Sequence, residues 1–129
     1  MTKNELIGFT LLNPNGIMVS AGVVADWMIG GYYNGYVAIP KQIFPDKWKQ
    51  MEDLPNVHGG CTYMTEFDDL QEMITNAVET TGKHNPEQTY VVVGFDTCHY
   101  CDTPEEWSEE CIMNEVIEWM KNIEKEIQS

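Results

Sequence analysis

Thr89-Tyr90-Val91-Val92-Val93-Gly94-Phe95 is the stretch on which the fold turns. Three consecutive β-branched valines between two aromatics favour extended backbone, and a run that is apolar at odd and even positions alike must bury both of its faces. It reads as a central strand. Towards the C-terminus, Thr103-Pro104-Glu105-Glu106 combines a capping box with Pro at the first helical position. Behind it, Trp107, Cys111, Val116, Met120, Ile123 and Ile127 trace an apolar stripe that Ile112 and Ile117 widen, while Glu109, Glu110, Glu118, Lys121 and Lys125 take the other face. That spacing predicts a helix from about 104 to 127. Towards the N-terminus, Phe67, Leu70, Ile74 and Val78 share one helical face and predict a second helix at about 67–80, with Gly82 as its stop.

Further out the signals are shorter. Asn34-Gly35 reads as a turn opening the strand Tyr36-Val37-Ala38-Ile39-Pro40, which Pro40 ends. The apolar runs 5–12 and 17–24 flank the turn Asn13-Pro14-Asn15-Gly16 and suggest a hairpin. Residues 46–52 suggest a short helix capped by Asp46, and residues 57–64 a loop entering a strand. No repeat or linker divides the chain. The expectation is one α+β domain over residues 1–129, a mainly antiparallel sheet with the long C-terminal helix packed on it.

Composition excludes some functions. The chain has 129 residues, 43% of them apolar, enough for a single core. Seven Lys and no Arg stand against 21 acids, a net charge of −14. Nucleic-acid binders neutralise phosphates with basic side chains, so a duplex or single-strand binder is not expected. No apolar run approaches the roughly 20 residues of a membrane span. Without a secretory pattern at Met1-Thr2-Lys3-Asn4-Glu5, a soluble cytoplasmic protein with reduced Cys61, Cys98, Cys101 and Cys111 is expected. Residues 102–129 carry nine acids and two Lys. This is a solvated helix face or an acidic surface that docks a basic partner.

Two segments carry the residue types of a site: His58-Gly59-Gly60-Cys61-Thr62-Tyr63, and Gly94-Phe95-Asp96-Thr97-Cys98-His99-Tyr100-Cys101-Asp102 at the exit of the buried strand. Asp96, His99 and Asp102 recur every third residue, so a turn-like loop brings them to one side. Gly59 and Gly60 leave backbone N–H groups open to an anion. Three chemistries compete. His58 and His99 would exchange protons on a phosphoester, with Asp96 or Asp102 orienting an imidazole. His58, Asp96, His99 and Asp102 would instead ligate a metal, whose identity stays unknown. Or the pocket only binds a polar small molecule. The plainer reading makes Asp96 a loop cap, His99 a satisfied polar residue and the glycines a turn. Cys98-His99-Tyr100-Cys101 has the CxxC spacing but no second copy to complete a zinc site. Tyr36, with Trp27, Tyr32 and Tyr33, forms either core or a wall for a planar ring. Lys41, Lys47 and Lys49 are a local basic group, with Lys41 assigned to phosphate.

Asn34-Gly35-Tyr36-Val37-Ala38-Ile39-Pro40-Lys41, the 57–63 segment and residues 94–104 together resemble a family of small bacteriophage and prophage proteins with the pattern NGYVxIP, VHGGxTY and GFDxxHxxD in that order. The match spans about residues 34–110; a Gly often stands in the family where this chain has Cys101. The resemblance implies a phage origin and action in the cytoplasm of an infected bacterium. Small phage accessory proteins often act in counter-defence. By analogy the implied role is recognition, or hydrolysis, of a small nucleotide-like signalling molecule held by His58, Gly59, Gly60, Thr62, Tyr63, Tyr36 and Lys41 with Asp96, His99 and Asp102. An acidic protein that inhibits a host protein through its C-terminal helix, and a metal-dependent hydrolase, are the alternatives; a homo-oligomer is left open.

Overall fold

The computed structural model describes residues 6–13, 32–57, 60–95 and 109–128. Among these residues, five strands, β1 (Ile7–Asn13), β2 (Tyr32–Pro40), β3 (Tyr63–Phe67), β4 (Glu79–Thr80) and β5 (Tyr90–Phe95), accompany two α-helices, α1 (Gln71–Asn76) and α2 (Glu109–Gln128). The strands form one sheet in the order β3-β5-β2-β1-β4, and every neighbouring pair is antiparallel. The α+β class, the antiparallel sheet and the long C-terminal helix are as the sequence leads one to expect.

All six residues of β5 are buried, and β2 and β3 flank it. Strand alternation sends its side chains into two cores. Val91, Val93 and Phe95 join Val37 and Ile39 of β2 beneath Ile112, Val116, Trp119 and Ile123 of α2. Tyr90 and Val92 join Ile7, Phe9, Ala38 and Leu70 on the opposite face, where Met73 and Ile74 of α1 pack.

The bond between α2 and the sheet depends on missing side chains. A Cβ at Gly35 would lie 2.5 Å from the Phe95 ring and 2.6 Å from Val116; one at Gly8 would lie 2.5 Å from Met120 and 2.6 Å from Val116. Asn34-Gly35 is therefore no turn. β2 runs straight through it, with Gly35 opposite Phe95. Pairing on both sides overrides the local turn preference, and the glycine serves close packing instead.

The buried stripe of α2 is Ile112, Met113, Val116, Trp119 and Ile123, whereas Cys111 is exposed and Ile117 is 37% exposed. The buried stripe is thus turned slightly from the one read from periodicity, which does not include Trp119. Trp119 stands edge-on to Phe95 at 5.8 Å between ring centroids, and its Nε1–H donates to the Pro55 carbonyl at 2.9 Å. Trp107, the capping box at 103–106 and the 17–24 run lie outside the described residues.

The helix expected at about 67–80 is only six residues long. Phe67 ends β3, and Val78 is 44% exposed. The free edge of β1 explains the loss. Val78 N–H donates to Thr10 O, Thr81 N–H to Gly8 O, and Gly8 N–H to Thr81 Oγ1. Residues 78–81 satisfy a strand edge rather than prolong a helix. Residues 46–52 form no helix capped by Asp46. The Asp53 carboxylate accepts the Lys49 and Gln50 N–H groups, both at 3.0 Å, and fixes a 3-10 turn over Met51–Asp53. Buried Trp48, Leu54 and Val57 pin this segment to the α2 side of the sheet.

Candidate functional site

β5 leaves the sheet at Phe95, and the chain that enters β3 passes beside it. Tyr63 stands opposite Gly94 in the ladder, yet Thr62 N–H also donates to Gly94 O at 2.9 Å. Two residues of one strand facing one of the other make a bulge, a device that bends a strand end and re-aims its side chains. Just before it, Gly60 has φ +82° and donates its N–H to Val57 O at 2.8 Å. A side chain is strained at that φ, so Gly60 is required by its backbone conformation.

Gly94 opens a gap in the row behind this corner. A Cβ there would lie 2.4 Å from the Tyr36 ring. Tyr36 and Tyr63, both opposite Gly94 on neighbouring strands, lean together over it with centroids 5.6 Å apart in a T-shape. Phe9 stacks on the far side of Tyr36 at 5.3 Å. The result is an aromatic row across four strands, on the face away from α2. On the α2 side of the same corner, the Cys61 thiol donates to Tyr63 O at 3.2 Å. Burial pushes that thiol above its ordinary value of 9.0, backbone interactions with Tyr63 and Gly94 pull it back in part, and the Glu52 charge adds to the rise. Cys61 is therefore held as a neutral thiol rather than a nucleophilic thiolate.

The expected site residues thus divide. Gly60, Thr62, Tyr63 and Tyr36 are gathered at the Phe95 end of β5. Lys41 is not among them. Its N–H donates to Thr89 O and its ammonium pairs with Glu66 at 3.0 Å, at the other end of β5. Thr89 and Gly94 are separated by five residues of extended chain, about 17 Å. Lys41, expected to join the glycine loop, is set apart from it by that separation, and the ion pair engages its charge. His58, Gly59, Asp96, His99 and Asp102, with Cys98 and Cys101, lie outside the described residues, as do Trp27 and the side chains of Tyr32 and Tyr33. Among the described residues no group of three or more His, Cys, Asp or Glu is placed to hold a metal. Gly94 was the residue that sequence reading passed over, and its signal was present as the one small residue in a run of valines and aromatics.

No described helix is long and apolar enough to cross a membrane. No family model matches the sequence, and comparison with curated proteins and with solved structures finds no similar chain. What the fold defines is a class: an α+β protein with a five-stranded antiparallel sheet, a long C-terminal helix on one face and an aromatic row on the other.

Proposed function

We propose that the protein is a phage-type accessory protein, acting in counter-defence, that binds a small nucleotide-like signalling molecule at the corner where residues 57–63 meet the exit of β5. The observation that supports this is the 2.9 Å bond from Thr62 N–H to Gly94 O. It ties Thr62, in the first motif, to Gly94, which opens the second. Tyr63, leaning over Gly94 beside that corner, supplies an aromatic surface. In this reading His58 and His99 face the ligand, Asp96 and Asp102 orient the imidazoles, and Lys41 takes no part.

The test is incubation of the purified chain with a panel of cyclic nucleotides, followed by chromatography of protein-bound and free fractions. Intact ligand recovered from the protein defines a sequestering protein. Product formation that His99→Ala abolishes defines a phosphoesterase. Absence of both retention and turnover across the whole panel removes the reading.

One observation favours a second reading. Glu110, Glu118 and Glu124 are exposed along α2, and the exposed Ile117 stands among them. An apolar residue inside an acidic helix face suits a basic host protein as partner. Pull-downs from host lysate with Glu109, Glu110 and Glu118 neutralised separate the two readings, because capture that survives neutralisation does not use this face.

A further inference from the structure

The two edges of the sheet are unlike. β4 contributes only two residues, too short to template another strand, whereas β3 offers five, and among the described residues no strand pairs with its outer side. A groove runs along the first part of β3. Residues 49–52 stand off from residues 62–65 and leave a groove of about 540 Å³ between them.

Which backbone groups face that groove follows from hydrogen bonds on the other side of β5. Lys41 N–H donates to Thr89 O, so in the antiparallel ladder residues 89, 91, 93 and 95 bond towards β2. Residues 90, 92 and 94 then bond towards β3. Their partners Phe67, Thr65 and Tyr63 are consumed by the ladder, and Met64 and Glu66 point their N–H and C=O groups outward.

We infer that β3 pairs antiparallel with β3 of a second copy of this chain, about a two-fold axis at Thr65. Only that register uses both outward residues of each copy. Met64 of one copy exchanges both backbone bonds with Glu66 of the other, and the reverse pair does the same. The side chains agree with it. Tyr63 lies opposite Phe67 of the second copy, an aromatic pair, and Thr65 lies opposite Thr65, a favourable cross-strand pair. A register centred on Glu66 would set two carboxylates face to face. The groove wall carries Lys49 and Glu52, one charge of each sign, and adds no net charge to the junction. Self-complementarity of this strand, rather than a free edge alone, selects a second copy over an unrelated peptide. Each copy carries −14, so repulsion opposes the pairing and salt strengthens it.

Sedimentation velocity of the full chain tests this at concentrations up to about 1 mM, a range suited to a small interface. The expected result is a monomer–dimer equilibrium that tightens between low and high salt. Thr65→Lys places two ammonium groups across the axis and raises the dissociation constant about tenfold or more, while the exposed side chain leaves the thermal midpoint unchanged. Thr65→Cys, oxidised beside the wild type, gives a covalent dimer, because residues opposed in a non-hydrogen-bonded pair come within disulfide reach. Glu66→Cys does not, since its neighbour across the axis is Met64. A monomer at every concentration, a dimer indifferent to Thr65→Lys, or equal cross-linking of the two cysteine variants overturns the inference. None of these measurements involves the nucleotide-like ligand, so their failure leaves the binding reading to its own test.

Discussion

The two ends of β5 are built differently. At the Tyr90 end the chain is closed: the strand continues through the Lys41 N–H bond to Thr89, Lys41 and Glu66 neutralise each other, and the Tyr90 hydroxyl accepts the Asn85 N–H. At the Phe95 end regularity is given up. There is a bulge at Thr62, a left-handed residue at Gly60 and a missing side chain at Gly94 that lets two tyrosines meet. Irregular backbone costs stability wherever it occurs, and it collects at the end that carries both predicted motifs. The contrast supports proposing the ligand site at the exit of the strand rather than at the Tyr90 end.

Substitutions can break that contrast, and the largest effect is expected at Phe95. It is 1% exposed and anchors the exit end to Trp119 of α2. Phe95→Ala should cost about 3–5 kcal/mol in chemical denaturation, the usual loss for a buried aromatic. Gly94→Ala comes next. Its methyl group would press on the Tyr36 ring and approach Gly35 O at 3.1 Å, so a loss of about 1–3 kcal/mol is expected, with altered near-ultraviolet dichroism from the tyrosine pair. A Gly94→Ala protein as stable as the wild type would mean that the gap is not needed. The smallest effect is expected at the opposite end. The Lys41–Glu66 pair is more than half exposed on the Lys41 side, so Lys41→Ala should cost less than about 1 kcal/mol and should leave retention of any nucleotide-like ligand unchanged. Loss of retention in that variant would return Lys41 to the site and remove the distinction between the two ends.

The parts of this fold that were legible in the sequence are those where one signal dominates. The triple valine of β5 has no competing reading, and α2 is long enough for its period to emerge despite Cys111 and Ile117 facing out. The errors came where tertiary partners decided between local options. Phe67, Leu70, Ile74 and Val78 have helical spacing, but Phe67 is taken by β3 and residues 78–81 by the edge of β1. Asn34-Gly35 has turn chemistry, but its glycine is needed beneath Val116 and beside Phe95. Asp46 resembles a cap, and Asp53 does the capping because the chain folds back from buried Trp48. For the candidate site, Gly60, Thr62 and Tyr63 lie together in the structure because they are near neighbours in the chain. Lys41 follows Pro40 directly in sequence, and only the antiparallel register reveals that this end of β2 is remote from β3's start.

The proposed function requires that His58 and His99 both reach a ligand held at the Thr62–Gly94 corner. It is tested most directly by nuclear Overhauser contacts in the isotope-labelled full chain, with the Tyr36–Tyr63 ring contact as the internal reference. The account predicts that both imidazole rings show contacts to residues 60–63 or to Gly94. Contacts from His99 to Thr89, to Lys41 or to the outer face of α2, with none to residues 60–63 or Gly94 while the tyrosine reference is present, would contradict it.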